Sequence, residues 1–238
     1  MTTSVQGWTT IAENPLVLVR EYSFGAGMAN AMAVGLPDNK LMIISPPTGV
    51  PASELKALEA HGKVVALLEF NGAHHLGLPD CKPCFPDAVT YAAPRAAERI
   101  AKKGKNPGKI EPVDALTPLL GDKVSVFPVA GDKLGDVLVR VKTEKGTLLF
   151  AGDFIANIRQ LPKNFMFRLV FKLTDSGPGF KVFRLFFKMF VADRKAARDC
   201  LIHEVEANPP AVLVPAHGDV IEQPNLGPTL VSMLRAAV

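Results

Sequence analysis

Cysteine is scarce in this chain. Its three residues, Cys81, Cys84 and Cys200, cannot form an even disulfide framework. A chain of 238 residues buries enough surface to fold without staples. A reduced, cytoplasmic protein is the expectation. Long apolar runs are also missing. No stretch approaches the ~18–20 residues that cross a bilayer, which excludes an integral membrane segment. Residues 1–8 lack a basic region followed by an apolar one, so no secretory leader is read there. Charge of one sign is hardly in excess, with a net of +4. That suits a small anionic substrate or surface and is too weak for nucleic acid. No zinc-finger spacing or basic-aromatic interleaving appears. A hydrophobic content of 48% with 21% charged residues is ordinary for a globular protein and argues against disorder.

What the chain does have is a repeated pairing of an apolar run with a ligand-type residue. Residues 63–68, between Gly62 and Gly72, read as a buried strand, and His74 and His75 lie in the loop that leaves it. Adjacent histidines cannot share a strand face, but in a sharp turn both imidazoles can converge on one ion. Residues 146–150 read as a second buried strand, followed by Asp153. Residues 211–214 read as a third, followed by His217. Each of these has a plainer reading. His217 could satisfy a backbone carbonyl, and Asp153 could cap a helix beginning at Phe154.

The remaining pattern is mixed. Strands are predicted over residues 16–22, 29–34, 40–44, 88–92 and 124–128, with a hairpin over 136–150. Helices are predicted from 51 to 58 and from 95 to 102, helical segments fill 163–207, and a closing helix runs over about 228–236. A Lys-, Gly- and Pro-rich connector runs from 102 to 118. Strands followed by helices in each half predict an α+β fold with two sheets face to face and helices outside.

In their order and flanks, Leu148-Leu149-Phe150-Ala151-Gly152-Asp153 and Val214-Pro215-Ala216-His217-Gly218 resemble the metallo-β-lactamase superfamily. The resemblance implies a four-layer αββα sandwich over residues 1–238, with pseudo-repeated halves of about 1–118 and 119–238. The superfamily's first motif, His-x-His-x-Asp-His, is altered here to Phe70-Asn71-Gly72-Ala73-His74-His75. Phe70 and Gly72 stand where two histidines would be. Asp132, in Gly131-Asp132-Lys133-Leu134-Gly135, stands for a third. One of two metal positions has thus lost its imidazoles. The other keeps His74, His75, Asp153 and His217, in what looks like a divergent branch with an Asn-x-x-His-His loop. The implied activity is hydrolysis of a small, partly apolar ester, lactone, amide or phosphoester at one divalent ion. Zinc is implied first, with iron or manganese also suited to such ligands. Asp132 and Asp153 are the candidate catalytic carboxylates. A non-catalytic binding protein that keeps the fold is the alternative.

Three features stand apart. Cys81-Lys82-Pro83-Cys84 has redox or zinc half-site spacing, yet no second pair completes a zinc site and the stretch reads as turn-rich. His61 and His203 read as surface or boundary residues. Residues 163–190 hold eight of the 14 phenylalanines. Phe183, Phe186, Phe187 and Phe190 recur at helical spacing. Core packing or a lid over the metal loop comes first, then a homodimer interface, then contact with an anionic membrane surface.

Overall fold

The computed structural model describes residues 4–25, 27–103 and 108–237. Alternation along the strands decides its architecture. In Leu16–Ser23, Val17 and Val19 enter one apolar core while Leu18 enters another. Met42 and Ile44 split from Leu41 and Ile43 in the same way, as do Ala66 and Leu68 from Leu67. In the second sheet, Val137, Phe150 and Val212 join the first core, whereas Leu138, Leu149 and Leu213 join a third. Strands apolar on both faces must be covered on both. Two sheets therefore share a central core and each carries helices outside, which is the expected four-layer αββα sandwich.

The first sheet has eight strands in chain order, from Ser4–Val5 to Ile110–Pro112. Its early strands are antiparallel, and from Lys40–Ile44 onward the neighbours are parallel. The parallel step into Lys63–Glu69 needs a crossover, supplied by the helical turns Ala52–Lys56 and Ala57–His61. The second sheet has five strands, among which Gly146–Phe150 and Pro210–Val214 are parallel neighbours. Both therefore release their following loops at the same sheet edge. This topology gathers residues distant in sequence.

Several sequence expectations need correction. Trp8–Glu13 is an additional strand. The connector carries the strand Ile110–Pro112 and the turns Val113–Leu116 and Thr117–Leu120, while its residues 104–107 lie outside the described ones. Residues 163–207 are not helical throughout, because Gly179–Val182 is a strand paired with Ile155–Ile158. Cys81 and Cys84 end a helix, Leu78–Cys84, rather than lying in turns. Both are unpaired and buried, and burial pushes the Cys81 thiol well up. A buried neutral thiol is a poor nucleophile.

The helix Arg184–Phe190 directs Phe186 and Phe187 onto Phe154, with ring centroids 5.2 and 5.5 Å apart. Phe183 and Phe190 pack against the same core. The helix Phe165–Leu173 does the opposite and has no buried residue. Among the described residues no helix is long and apolar enough to cross a membrane. This contrast sets the first expected outcome. Phe154→Ala, at a fully buried ring, should cost about 3–5 kcal/mol in urea unfolding. Phe165→Ala, at a ring 75% exposed, should change stability by no more than about 0.5 kcal/mol.

Candidate metal centre

His74, Asp153 and His217 meet at the shared sheet edge, with their candidate ligand atoms all within 4.8 Å of one another. Asp153 follows Gly146–Phe150 and opens no helix, since the chain continues into the strand Ile155–Ile158. The N-cap reading of Asp153 therefore fails. His217 follows Pro210–Val214 in a turn that Asn30 fixes from the other sheet. The Asn30 Nδ2 donates to the carbonyls of Pro215 at 2.9 Å and Gly218 at 2.7 Å. Gly218 has φ +95°, and a Cβ there would lie 1.9 Å from the Asn157 carbonyl oxygen. Only glycine allows this turn to close.

Each imidazole is oriented by its far nitrogen. The His217 Nδ1 donates to the Met28 carbonyl at 2.7 Å, and its Nε2 lies 3.1 Å from Asp153 Oδ1. The His74 Nδ1 lies 3.4 Å from Ser45 Oγ, and its Nε2 lies 3.4 Å from the same Oδ1. Ser45 Oγ is in turn 3.1 Å from the Tyr22 hydroxyl. The plain reading of His217, a ring satisfying a carbonyl, is thus true of one nitrogen and leaves the other turned inward. Tying down the outer nitrogen is how a protein fixes the tautomer and aim of a ligating histidine.

Asp153 Oδ1 is buried with no hydrogen-bond partner of its own apart from the facing imidazoles. Its Oδ2 is held by Asn71, whose Nδ2 also donates to Asp136 Oδ1, each at 2.9 Å. The Asn71 Oδ1 accepts from the backbone N–H groups of Ala73 at 2.9 Å and His74 at 3.2 Å. One buried amide therefore ties Asp153 to the loop that carries His74. Two imidazole nitrogens and one carboxylate oxygen aimed at a common space, with an orphaned lone pair between them, fit a divalent ion.

Electrostatics agree with this geometry. Burial alone would push the Asp153 carboxyl up, but His74 and His217 outweigh it and hold the group far below the usual carboxylate range. Burial disfavours the His217 cation, yet Asp153 and the Met28 carbonyl raise its pKa overall. Asp136 moves the other way. Burial, reinforced by the Asp153 charge, pushes its carboxyl well up and so favours its neutral form behind the charged Asp153.

Two of the expected site residues are not brought into this cluster. His75 is not among the converging residues, and it feels the charges of Arg99 and Lys103 on the helix Pro94–Lys103. Burial, opposed by the Gly72 backbone and aided by those two cations, lowers its pKa, and its Nδ1 makes no side-chain hydrogen bond. Adjacent side chains diverge here, so only one imidazole reaches Asp153. Asp132 is buried, and its Oδ1 accepts from the backbone N–H groups of Gly135 and, at 2.9 Å, Asp136. Its carboxylate caps a turn. Asn71, Ser45, Asn30 and Asp136 were missed as site residues. Of these, only Asn71 had a signal, as the first residue of the altered histidine loop.

The site opens into a cavity of about 230 Å³. Asp153, His74, His217 and Tyr22 give it a polar side, and Phe183, Phe186, Phe190 and Leu134 give it an apolar one. Phe70 contributes no ligand atom. Its buried ring lies 4.5 Å from that of His74 and 5.1 Å from that of Phe150.

No family model matches the sequence, and no curated protein matches it. Solved structures do. The DIM-1 metallo-β-lactamase shares 14% identity with a TM-score of 0.62 over 97% of each chain. A metallo-β-lactamase from Pontibacter korlensis shares 14% at a TM-score of 0.57, over 96% of this chain and 98% of that one. The metal-soaked Flv1 flavodiiron core from Synechocystis shares 12% at 0.61, over 96% of this chain and 60% of that one. The chain has the metallo-β-lactamase fold.

The pair Asp153–His217 makes stability depend on pH. Asp153, depressed on folding, stabilises above its ordinary pKa of about 3.9, and His217, raised, stabilises below its ordinary value of about 6.5. In metal-free protein the combined contribution should be greatest between about pH 4 and 6.5. It should fall as pH drops through the depressed value and as pH rises through the raised one. Urea unfolding of chelator-treated protein from below pH 4 to above pH 6.5 measures it, and Asp153→Asn should flatten both limbs.

Proposed function

We propose that the chain holds one divalent metal ion on His74, Asp153 and His217 and hydrolyses a small, partly apolar ester, lactone, amide or phosphoester. The observation that supports this reading is the convergence of two anchored imidazoles and one buried carboxylate beneath an apolar cavity. A bound ion would supply Lewis acidity beside a substrate oxygen. Zinc suits these ligands, and iron or manganese does too.

The chain's own residues supply the rest. Asp153 stays ionised well below neutral pH, so it serves as a charge-bearing ligand rather than a base. Met28, through its carbonyl, and Ser45 keep both imidazoles aimed at it. Burial pushes the Tyr22 phenol up, so its hydroxyl remains protonated on the cavity wall as a donor for a substrate oxygen. Phe183, Phe186 and Phe190 exclude water and accept the apolar part of the substrate. Asp132, engaged by its own turn, is not the proton acceptor.

One observation favours a second reading, a binding protein without catalysis. Phe70 fills with hydrocarbon a place where the superfamily resemblance puts an imidazole. Metal analysis of protein purified without chelator, joined to turnover assays on ester, lactone and phosphodiester substrates, separates the two. The hydrolase reading expects about one ion per chain. His217→Ala and Asp153→Ala should each lose metal and activity together, whereas His75→Ala should keep the metal. Metal without turnover of any such substrate would leave the binding reading standing.

A further inference from the structure

The helix Phe165–Leu173 is inserted between the paired strands Ile155–Ile158 and Gly179–Val182. Its start is fixed. Asn164 Oδ1 accepts from the backbone N–H groups of Met166 at 2.9 Å and Phe167 at 3.3 Å. Yet no residue of the helix is fully buried. Phe165, Leu169 and Leu173, at i, i+4 and i+8, form an outward stripe with Met166 beside it, and all four are exposed. Phe171 turns the other way, its ring 5.5 Å from that of Phe183. Singly exposed apolar residues are ordinary, but a whole well-capped stripe of them marks a contact surface.

Charge decides what that surface meets. Lys163, Arg168 and Lys172 are exposed on or next to the helix, and Lys188 and Met189 are exposed on the helix Arg184–Phe190. Asp175 is the one acid between residues 163 and 190. It is already engaged by Lys181 and Arg184. A symmetric contact with a second copy would bring these cations against one another with no counter-charge. A layer of anionic headgroups supplies that charge and admits the apolar stripe at the same time. At nine residues the helix is far too short to span.

We propose that Phe165–Leu173 docks this protein on an anionic lipid surface. Phe165, Leu169 and Leu173 enter the boundary between headgroups and acyl chains, and Lys163, Arg168 and Lys172 meet lipid phosphates. Through Phe171 and Phe183 the docked helix adjoins the cavity above Asp153, because Phe183 is part of that cavity's wall. The docking does not depend on whether the site hydrolyses anything.

Vesicle co-sedimentation of the full chain tests it, with phosphatidylcholine alone and with phosphatidylcholine containing phosphatidylglycerol. The protein should bind the anionic vesicles and release as salt rises. Phe165→Ser/Leu169→Ser/Leu173→Ser should weaken partitioning by about tenfold or more, and Arg168→Glu/Lys172→Glu should abolish the preference for anionic lipid. Both variants should keep the parent's melting temperature to within a few degrees, since the replaced side chains are all exposed. Absence of binding to anionic vesicles would overturn the proposal, and so would equal binding by the triple variant. Sedimentation velocity without lipid should show a monomer; a dimer that the triple variant dissociates would give the face to a second copy and overturn it as well.

Discussion

A carboxylate buried at the end of a parallel strand, with two imidazoles facing one of its oxygens, is the constraint from which the rest of the site follows. Asp153 could not remain ionised at that depth without them, since burial by itself drives a carboxyl toward its neutral form. The imidazoles could not aim at it without their outer nitrogens tied to Met28 and Ser45. Those ties come from the first sheet and its loops, while Asp153 and His217 belong to the second. The packing of the two sheets therefore also sets the site geometry.

Asn71 and Asn30 carry that coupling across the sandwich. Asn71 spans from the histidine loop to Asp153 and Asp136, and Asn30 reaches from the first sheet to the turn holding His217. Both are buried. Each satisfies polar groups that would otherwise be stranded in an apolar interior, where an unmade hydrogen bond costs about 1–3 kcal/mol. With Phe70 beside His74 and Asp132 capping its own turn, the described residues offer a single cluster suited to a metal.

The sequence made the sandwich legible because its strands are apolar on both faces and end in recognisable residues. Leu149 and Leu213 sit in one core while Phe150 and Val214 sit in another, so runs without alternation were strands covered on both sides. Asp153 and His217 could be picked out for the same reason, as polar residues just past such runs. The division between His74 and His75 could not be read, because two neighbouring residues in a turn point apart in a direction that spacing does not encode. Nor could the roles of Asn71 and Ser45, whose partners lie on other loops. The helical reading of residues 163–207 failed at the hairpin strand Gly179–Val182, where pairing with Ile155–Ile158 prevails over local periodicity. The exposed stripe of Phe165–Leu173 had the composition of a core helix, and only the tertiary structure shows that nothing covers it.

Anomalous diffraction from crystals grown with zinc tests the central claim most directly. A single peak is expected about 2 Å from His74 Nε2, Asp153 Oδ1 and His217 Nε2, and it should vanish in crystals of Asp153→Ala. A peak held by His75 instead, or no peak at this sheet edge, would contradict the account.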